Sequence, residues 1–147
     1  MLFRSIFSVA FSPDGSLLAT ASKDHDVRIW DVATGESLLR LQHNSKVRDA
    51  QFSPDGRWLV TAAGRAGLYD TRDGTPILRL QGHEGPVAAA AFDRTGKWIV
   101  TGGHDGTIRT YRCQVCDGID DLVTLARARL AITGREFSPR ERTRYLG

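Results

Sequence analysis

The pentapeptide Phe-Ser-Pro-Asp-Gly occupies residues 11–15 and returns unchanged at residues 52–56, and a worn copy, Phe-Asp-Arg-Thr-Gly, occupies residues 92–96. The final glycines of the copies are 41 and then 40 residues apart. In such a segment, proline fixes φ at the second turn position, aspartate can bond its own backbone, and glycine tolerates positive φ. Three copies at nearly constant spacing therefore predict a repeat protein with one such turn in each repeat.

Short apolar and β-branched segments separated by Gly, Asp and Pro turns fill the rest of each repeat. The clearest of these segments lie at residues 17–21, 27–30, 37–41, 58–62, 66–69, 76–80, 98–102 and 108–111. Each repeat therefore predicts four short antiparallel strands. A single four-stranded sheet of this size cannot bury both faces alone. We expect the copies to stack against one another, as the blades of a β-propeller do.

The composition is that of a folded, water-soluble protein. Apolar residues make up 41% of the 147 residues and charged residues 25%, with a net charge of +3 and no block of like charge. This dispersed charge gives no sign of a nucleic-acid-binding or membrane-binding surface. The longest apolar run is six residues, at 87–92. Two cysteines and no signal-peptide pattern favour a cytoplasmic protein without a disulfide scaffold.

Over about residues 5–112 the sequence resembles the WD40 family, on the evidence of the repeats together with Trp30-Asp31 closing a strand and Gly82-His83 at the start of the third repeat. The resemblance implies an all-β fold, a partial propeller of three four-stranded blades. It also implies a hydrogen-bonded network of His, Thr, Asp and an aromatic residue in each blade. By position, the candidates for this network are His83, Thr101, Asp105, Tyr111, Thr20, Asp24, Trp30, His43, Thr61 and Tyr69.

The three networks are expected to be unequal. The third repeat has tyrosine, Tyr111, where tryptophan is usual, and the first lacks its histidine. The second repeat has lost two residues and the Asp around residues 63–65. We expect the second blade to be the least well fastened.

A catalytic alternative uses some of the same residues. His83, Thr101 and Asp105 have the residue types of a hydrolase triad. The pattern recurs at the blade period, however, whereas catalysis needs one site, and the sequence has neither a GxSxG elbow nor a P-loop. We therefore expect a non-enzymatic protein with no cofactor, in which these residues are structural.

Cys113 and Cys116 form a Cys-x-x-Cys pair at the exit of the last strand. A zinc site would need two more ligands, for which only scattered histidines are available. The ordinary interpretation is two structural cysteines, with zinc or a disulfide as alternatives.

Loops offer the expected binding surface of a propeller. The turns between second and third strands and the connections between blades fall on one face of such a fold. A protein partner docking there would meet Lys46, Arg65, His25, His104 and Glu84.

The sequence past residue 112 has a different period. Apolar residues from Ile119 to Leu130 recur at helical spacing, and residues 138–141 read as the start of a second short helix. A faint likeness of this second segment to a LuxR-type helix-turn-helix raises DNA binding, but such a domain needs many more residues. The tail better resembles the C-terminal ends of bacterial WD40 proteins, among them STAND-type signalling ATPases, which implies an ATPase or effector enzyme upstream.

The organisation expected from these patterns is three repeats in residues 1–112 (about 5–42, 43–82 and 83–112) and a helical tail in 113–147. A propeller generally takes about four to eight blades. Three blades would expose apolar faces at both ends of the stack. We therefore expect either a piece of a larger protein or a ring completed by self-association, acting as an interaction scaffold or sensor.

Overall fold

The computed structural model describes residues 5–117, and the chain divides after Cys113. The part up to Cys113 contains eleven β-strands among the described residues. They are β1 (Ile6–Phe11), β2 (Leu17–Ser22), β3 (Asp26–Asp31), β4 (Ser37–Gln42), β5 (Asp49–Phe52), β6 (Trp58–Ala62), β7 (Ala66–Asp70), β8 (Pro76–Leu80), β9 (Val87–Phe92), β10 (Trp98–Gly103) and β11 (Ile108–Arg112). In the second part, Gln114–Asp117 forms a 3₁₀ turn.

The strands form three antiparallel sheets in sequence order, which we call blades 1, 2 and 3. Blade 1 has the order β1-β2-β3-β4, blade 2 the order β5-β6-β7-β8, and blade 3 the order β9-β10-β11. The registers match, because Thr20, Thr61 and Thr101 stand at the same position of each second strand. The prediction of an all-β partial propeller is confirmed. The two predicted tail helices lie outside the described residues.

The repeated pentapeptide forms the tight turn between the first two strands of a blade. Gly15, Gly56 and Gly96 share a φ of 73°, a left-handed conformation that glycine adopts without a Cβ clash. The Ser12 hydroxyl donates to Asp14 Oδ1 at 2.6 Å and accepts from the Leu17 N–H at 2.9 Å. The bonds from Ser12 and from Ser16 lower the pKa of Asp14 to about 2. The turn is thus closed by its own side chains.

The core lies where blades 1 and 2 pack together. Small and branched side chains of β2 and β3, such as Ala19, Val27 and Ile29, are fully buried against Val47 and Leu59 of the next repeat. Each Å² of apolar surface removed from water stabilises this contact by about 25 cal/mol.

The turn between the second and third strands is shorter in blade 2 than in the other blades. Ala21 pairs with Val27 across five residues, whereas Ala62 pairs with Ala66 across only three. The loss of two residues predicted from the sequence is therefore seen directly in the register.

The outer faces of blades 1 and 3 expose apolar side chains at positions that are buried in blade 2. Val9 of β1 is 56% exposed, while its counterpart Ala50 in blade 2 is 1% exposed. Ile108 of β11 is 78% exposed, while its counterpart Ala66 in blade 2 is 1% exposed. The predicted apolar faces at both ends are present. Within residues 5–117, no helix has the length and apolar character required to cross a membrane.

Candidate functional site

The network of blade 3 is the most complete of the three. His83 bonds the Thr101 hydroxyl through Nε2 at 2.8 Å and the Asp105 carboxylate through Nδ1 at 2.9 Å. Burial alone would raise the pKa of Asp105, but hydrogen bonds from Thr107, from the Glu84 N–H and from His83 hold it well below its usual value. The network joins the connection before β9 to the turn between β10 and β11.

Tyr111 takes a different partner from the one expected for the aromatic residue. Its hydroxyl donates to the carbonyl oxygen of Gln81 at 2.8 Å, so it fastens β11 to the connection between blades. In blade 1 the expected link is present, because Trp30 Nε1 donates to the Thr20 hydroxyl at 3.0 Å. The aromatic residue therefore bonds the threonine in blade 1 and a backbone carbonyl in blade 3.

Asp24 of blade 1 bonds within its own turn and accepts from the Asp26 N–H at 3.2 Å. Burial acts to raise the pKa of Asp24, but the hydrogen bonds from Ser22 and Asp26 outweigh it and lower the pKa. This turn is closed by its own residues, in contrast to the His83–Asp105 closure of blade 3.

Blade 2 keeps a shorter version of the network. His43 Nε2 lies 3.0 Å from the Thr61 hydroxyl, and Nδ1 lies 3.1 Å from the carbonyl of Leu41. The Tyr69 ring lies beside His43, with ring centroids 5.4 Å apart. Burial lowers the pKa of His43 and raises that of Tyr69, so both groups stay neutral near pH 7.

These networks have the geometry of fasteners. Thr101 is 1% exposed, and its hydroxyl is engaged by His83. A nucleophile must reach a bound substrate, which this hydroxyl cannot do from inside the sheet. The residues proposed as a possible triad therefore tie strands together.

The loops between second and third strands and the connections between blades meet along one side, which we call the connection edge (residues 23–25, 43–46, 63–65, 81–86 and 103–107). The His43 N–H donates to the His25 carbonyl at 2.8 Å, and the His104 N–H donates to the Pro86 carbonyl at 2.9 Å. The five side chains predicted to meet a partner all lie on this edge, and all of them are exposed: His25, Lys46, Arg65, Glu84 and His104.

A cavity of about 550 Å³ opens on the connection edge at blade 2. It lies between the connection after β4 and the short β6–β7 turn, and we call it the arginine pocket. Its lining includes His43, Ser45, Gly64, Arg65, Tyr69 and Arg79. Sequence reasoning singled out Arg65 but missed Ser45 and Arg79. A residue-by-residue comparison of repeats 1 and 2 would have found Arg79.

Both cysteines of the Cys-x-x-Cys pair, Cys113 and Cys116, are disulfide-bonded. In the part of the chain that the structure describes, three or more His, Cys, Asp or Glu side chains nowhere lie together as ligands for a metal ion.

Comparison with known families matches the sequence to the one described as "WD domain, G-beta repeat". The match covers residues 3–31, 35–70 and 74–112. These three segments follow the three repeats and take up most of the chain.

The chain is also similar in sequence to several named proteins. The chain is 35% identical to the Target of rapamycin complex subunit wat1 of Schizosaccharomyces pombe, over 71% of the chain and 35% of that protein. It is 31% identical to Eukaryotic translation initiation factor 3 subunit I of Emericella nidulans, over 97% of the chain and 46% of the relative. It is 36% identical to the Target of rapamycin complex subunit LST8 of Bos taurus, over 67% of the chain and 31% of the relative. The chain thus spans less than half the length of these relatives, and they give no support to the expected bacterial signalling ATPase.

Proposed function

Because the chain belongs to the WD40 repeat family, we propose that it is a non-catalytic interaction module that docks partner proteins on its connection edge. The observation that carries this proposal is the fixed geometry of that edge. The His83–Asp105 and Glu84–Asp105 bonds hold the loops of blade 3, while Lys46 and His104 remain exposed. Rigid loops bearing exposed side chains lose little entropy when they bind.

The names of the relatives support this role. Each is named as a subunit of a larger assembly, either the Target of rapamycin complex or Eukaryotic translation initiation factor 3. For this chain we propose the general role of a subunit or scaffold working in the cytoplasm, with protein partners rather than nucleic acid or membranes.

The proposal is tested by comparing partner capture by variants on the two edges of the blades. Lys46→Glu and His104→Glu change exposed side chains of the connection edge, and Arg94→Glu changes one in the tight turn on the opposite edge. Proteins cross-linked to the wild type should be lost from the first two variants and kept by the third. Equal capture by all variants, or equal loss from all, would refute docking on this edge.

We further propose that the two open faces are covered by a second copy of the chain. Val9 and Ile108 are exposed where their counterparts in blade 2 are buried by a neighbouring blade. Each open face therefore has the chemistry of an interface that already exists within the chain. Head-to-tail contacts of this kind close into rings or continue as open assemblies.

The oligomeric state tests this second proposal. Sedimentation of the full chain should show concentration-dependent association, which Val9→Lys and Ile108→Lys each weaken. Val32→Lys is a matched control, because Val32 is similarly exposed but lies in the turn after β3. A monomer at all concentrations, or equal effects of the three variants, would contradict self-association.

A further inference from the structure

Blade 1 carries an ion pair between a buried aspartate and an exposed arginine near its connection edge. Asp26 at the start of β3 is 2% exposed, and its Oδ2 lies 2.7 Å from Nε of Arg40 on β4. Arg28 lies further away, at 3.7 Å. The pair is held by the two outer strands, so the negative charge of Asp26 is balanced within the blade.

Blade 2 has a different charge pattern at the same positions. Arg79 pairs with Gly67 in the register as Arg40 pairs with Arg28, so Arg79 is the counterpart of Arg40. Asp26 comes one residue before the first residue of β3 that pairs with β2, and Arg65 comes one residue before the first residue of β7 that pairs with β6. Arg65 is therefore the counterpart of Asp26. An aspartate in blade 1 is thus replaced by an arginine in blade 2.

The two arginines line the arginine pocket together. Neither Arg65 nor Arg79 has a carboxylate partner among the residues that the structure describes, and both are exposed. The shortened turn and the lack of a side chain at Gly67 leave space beside them, into which the Tyr69 ring leans.

The pocket also offers hydrogen-bond donors that carry no charge. The Ser45 hydroxyl accepts from the Gly64 N–H at 2.6 Å, and its own proton has no acceptor among the described residues. Asn44, whose amide is a further neutral donor, also lines the pocket. Two guanidinium groups and several donors around one cavity are the chemistry of an oxyanion site.

We propose that the arginine pocket binds the phosphoryl group of a phosphorylated side chain on a partner protein. A phosphoryl group carries a charge of about −1.5 to −2 and three acceptor oxygens, which balances two arginines. A carboxylate would balance only one of them. The proposal rests on the interaction function above and names the group that the partner presents.

Small probes test the pocket without a known partner. Isotope-labelled full-length protein is titrated with N-acetyl-phosphoserine amide, N-acetyl-glutamate amide, N-acetyl-serine amide and inorganic phosphate while backbone amide shifts are recorded. We expect the phosphoserine probe to shift Gly64 and Gly67 with saturation in the millimolar range. The glutamate probe should bind at least about tenfold more weakly, which is about 1.4 kcal/mol, and the serine probe should not bind. Inorganic phosphate should shift the same amides.

Charge variants sharpen the assignment. Arg65→Asp recreates the arrangement of blade 1, so the new carboxylate should pair with Arg79 and abolish phosphoserine binding. Arg79→Gln should weaken binding about tenfold. Arg48→Gln removes one exposed positive charge outside the pocket and should leave binding unchanged. Retention of binding in Arg65→Asp and Arg79→Gln, equal loss in Arg48→Gln, or equal affinity for the glutamate probe would overturn the proposal.

The two proposals fail separately. If the probes do not bind but partner capture still depends on Lys46 and His104, the interaction function stands and the phosphoryl pocket is wrong. If the probes bind but no capture depends on the connection edge, the pocket binds phosphoryl groups, but the docking role, and with it a protein as the source of the phosphoryl group, is wrong.

Discussion

The hydroxyl of Ser8 donates a hydrogen bond to Oδ1 of Asp49 at 2.7 Å, joining residues that occupy the same position in the innermost strands of blades 1 and 2. The other carboxylate oxygen of Asp49 accepts from the Ala90 N–H of blade 3 at 3.3 Å. One side chain therefore links all three blades at their inner ends. Repeats that contact only their neighbours depend on such interface contacts for cooperative stability.

Asp49→Asn should lower the free energy of unfolding by about 1–2 kcal/mol, because an amide keeps only one acceptor oxygen, so either the Ala90 N–H or the donors at Oδ1 lose their acceptor. Ser8→Ala should cost about 0.5–1.5 kcal/mol. Urea unfolding of both variants and the double variant measures their coupling, which should be clearly non-additive. Glu36→Gln is the control for a lost exposed charge and should change stability by less than about 0.5 kcal/mol. Additive effects of the two substitutions would contradict a direct Ser8–Asp49 contact.

Gly103→Ala should break the closure of blade 3. A Cβ at this position would lie against His83 Nδ1 and only 2.6 Å from Asp105 Oδ1, so one of the two must move. We expect a loss of about 1–3 kcal/mol from overpacking. Gly102→Ala, one residue earlier on β10, would meet nothing within 4 Å and should leave stability nearly unchanged. Equal thermal unfolding of the two variants would show that the His83–Asp105 contact does not fasten the blade.

The sequence repeat predicted the number of blades and most of the strands. The spacing of the glycines in the pentapeptide turns indicated the number of blades, and the strand segments followed from the alternation of turns and apolar residues. The lost residues around Gly64 indicated where blade 2 would differ.

Other features depend on pairings between repeats, which a single repeat does not show. The partner of Tyr111 is a backbone carbonyl, and any residue at position 81 supplies one. The bridging role of Asp49 requires β1, β5 and β9 to converge, which is a property of the packed blades. The arginine pocket arises from a charge change between equivalent positions, and it becomes visible only once the register is known.

His25→Gly should stabilise the chain. His25 has a φ of 74°, and its counterpart in blade 3 is Gly106 with a φ of 75°. A side chain in this left-handed conformation costs about 1–2 kcal/mol. Replacing it with glycine removes this cost, but glycine loses more conformational entropy on folding, which offsets part of the gain. We expect a net gain of up to about 1 kcal/mol for His25→Gly and a similar loss for Gly106→Ala. Lys23→Gly in the same turn is the control and should lower stability. If it raised stability instead, the gain in His25→Gly would come from a more flexible turn and not from removing the strained φ.

His43 should give the fold a dependence on pH below neutrality. Burial holds its pKa below 6.5, its ordinary value, so the unfolded chain binds a proton at pH values where the folded chain does not. As the pH falls through 6.5, the unfolded state gains protons first, and the free energy of unfolding decreases until the pH reaches the lowered folded-state pKa. His43→Gln should flatten this decrease in urea-unfolding midpoints measured between neutral pH and about pH 5, although it weakens the bond to Thr61 at every pH. An unchanged pH dependence in His43→Gln would assign the effect to another group.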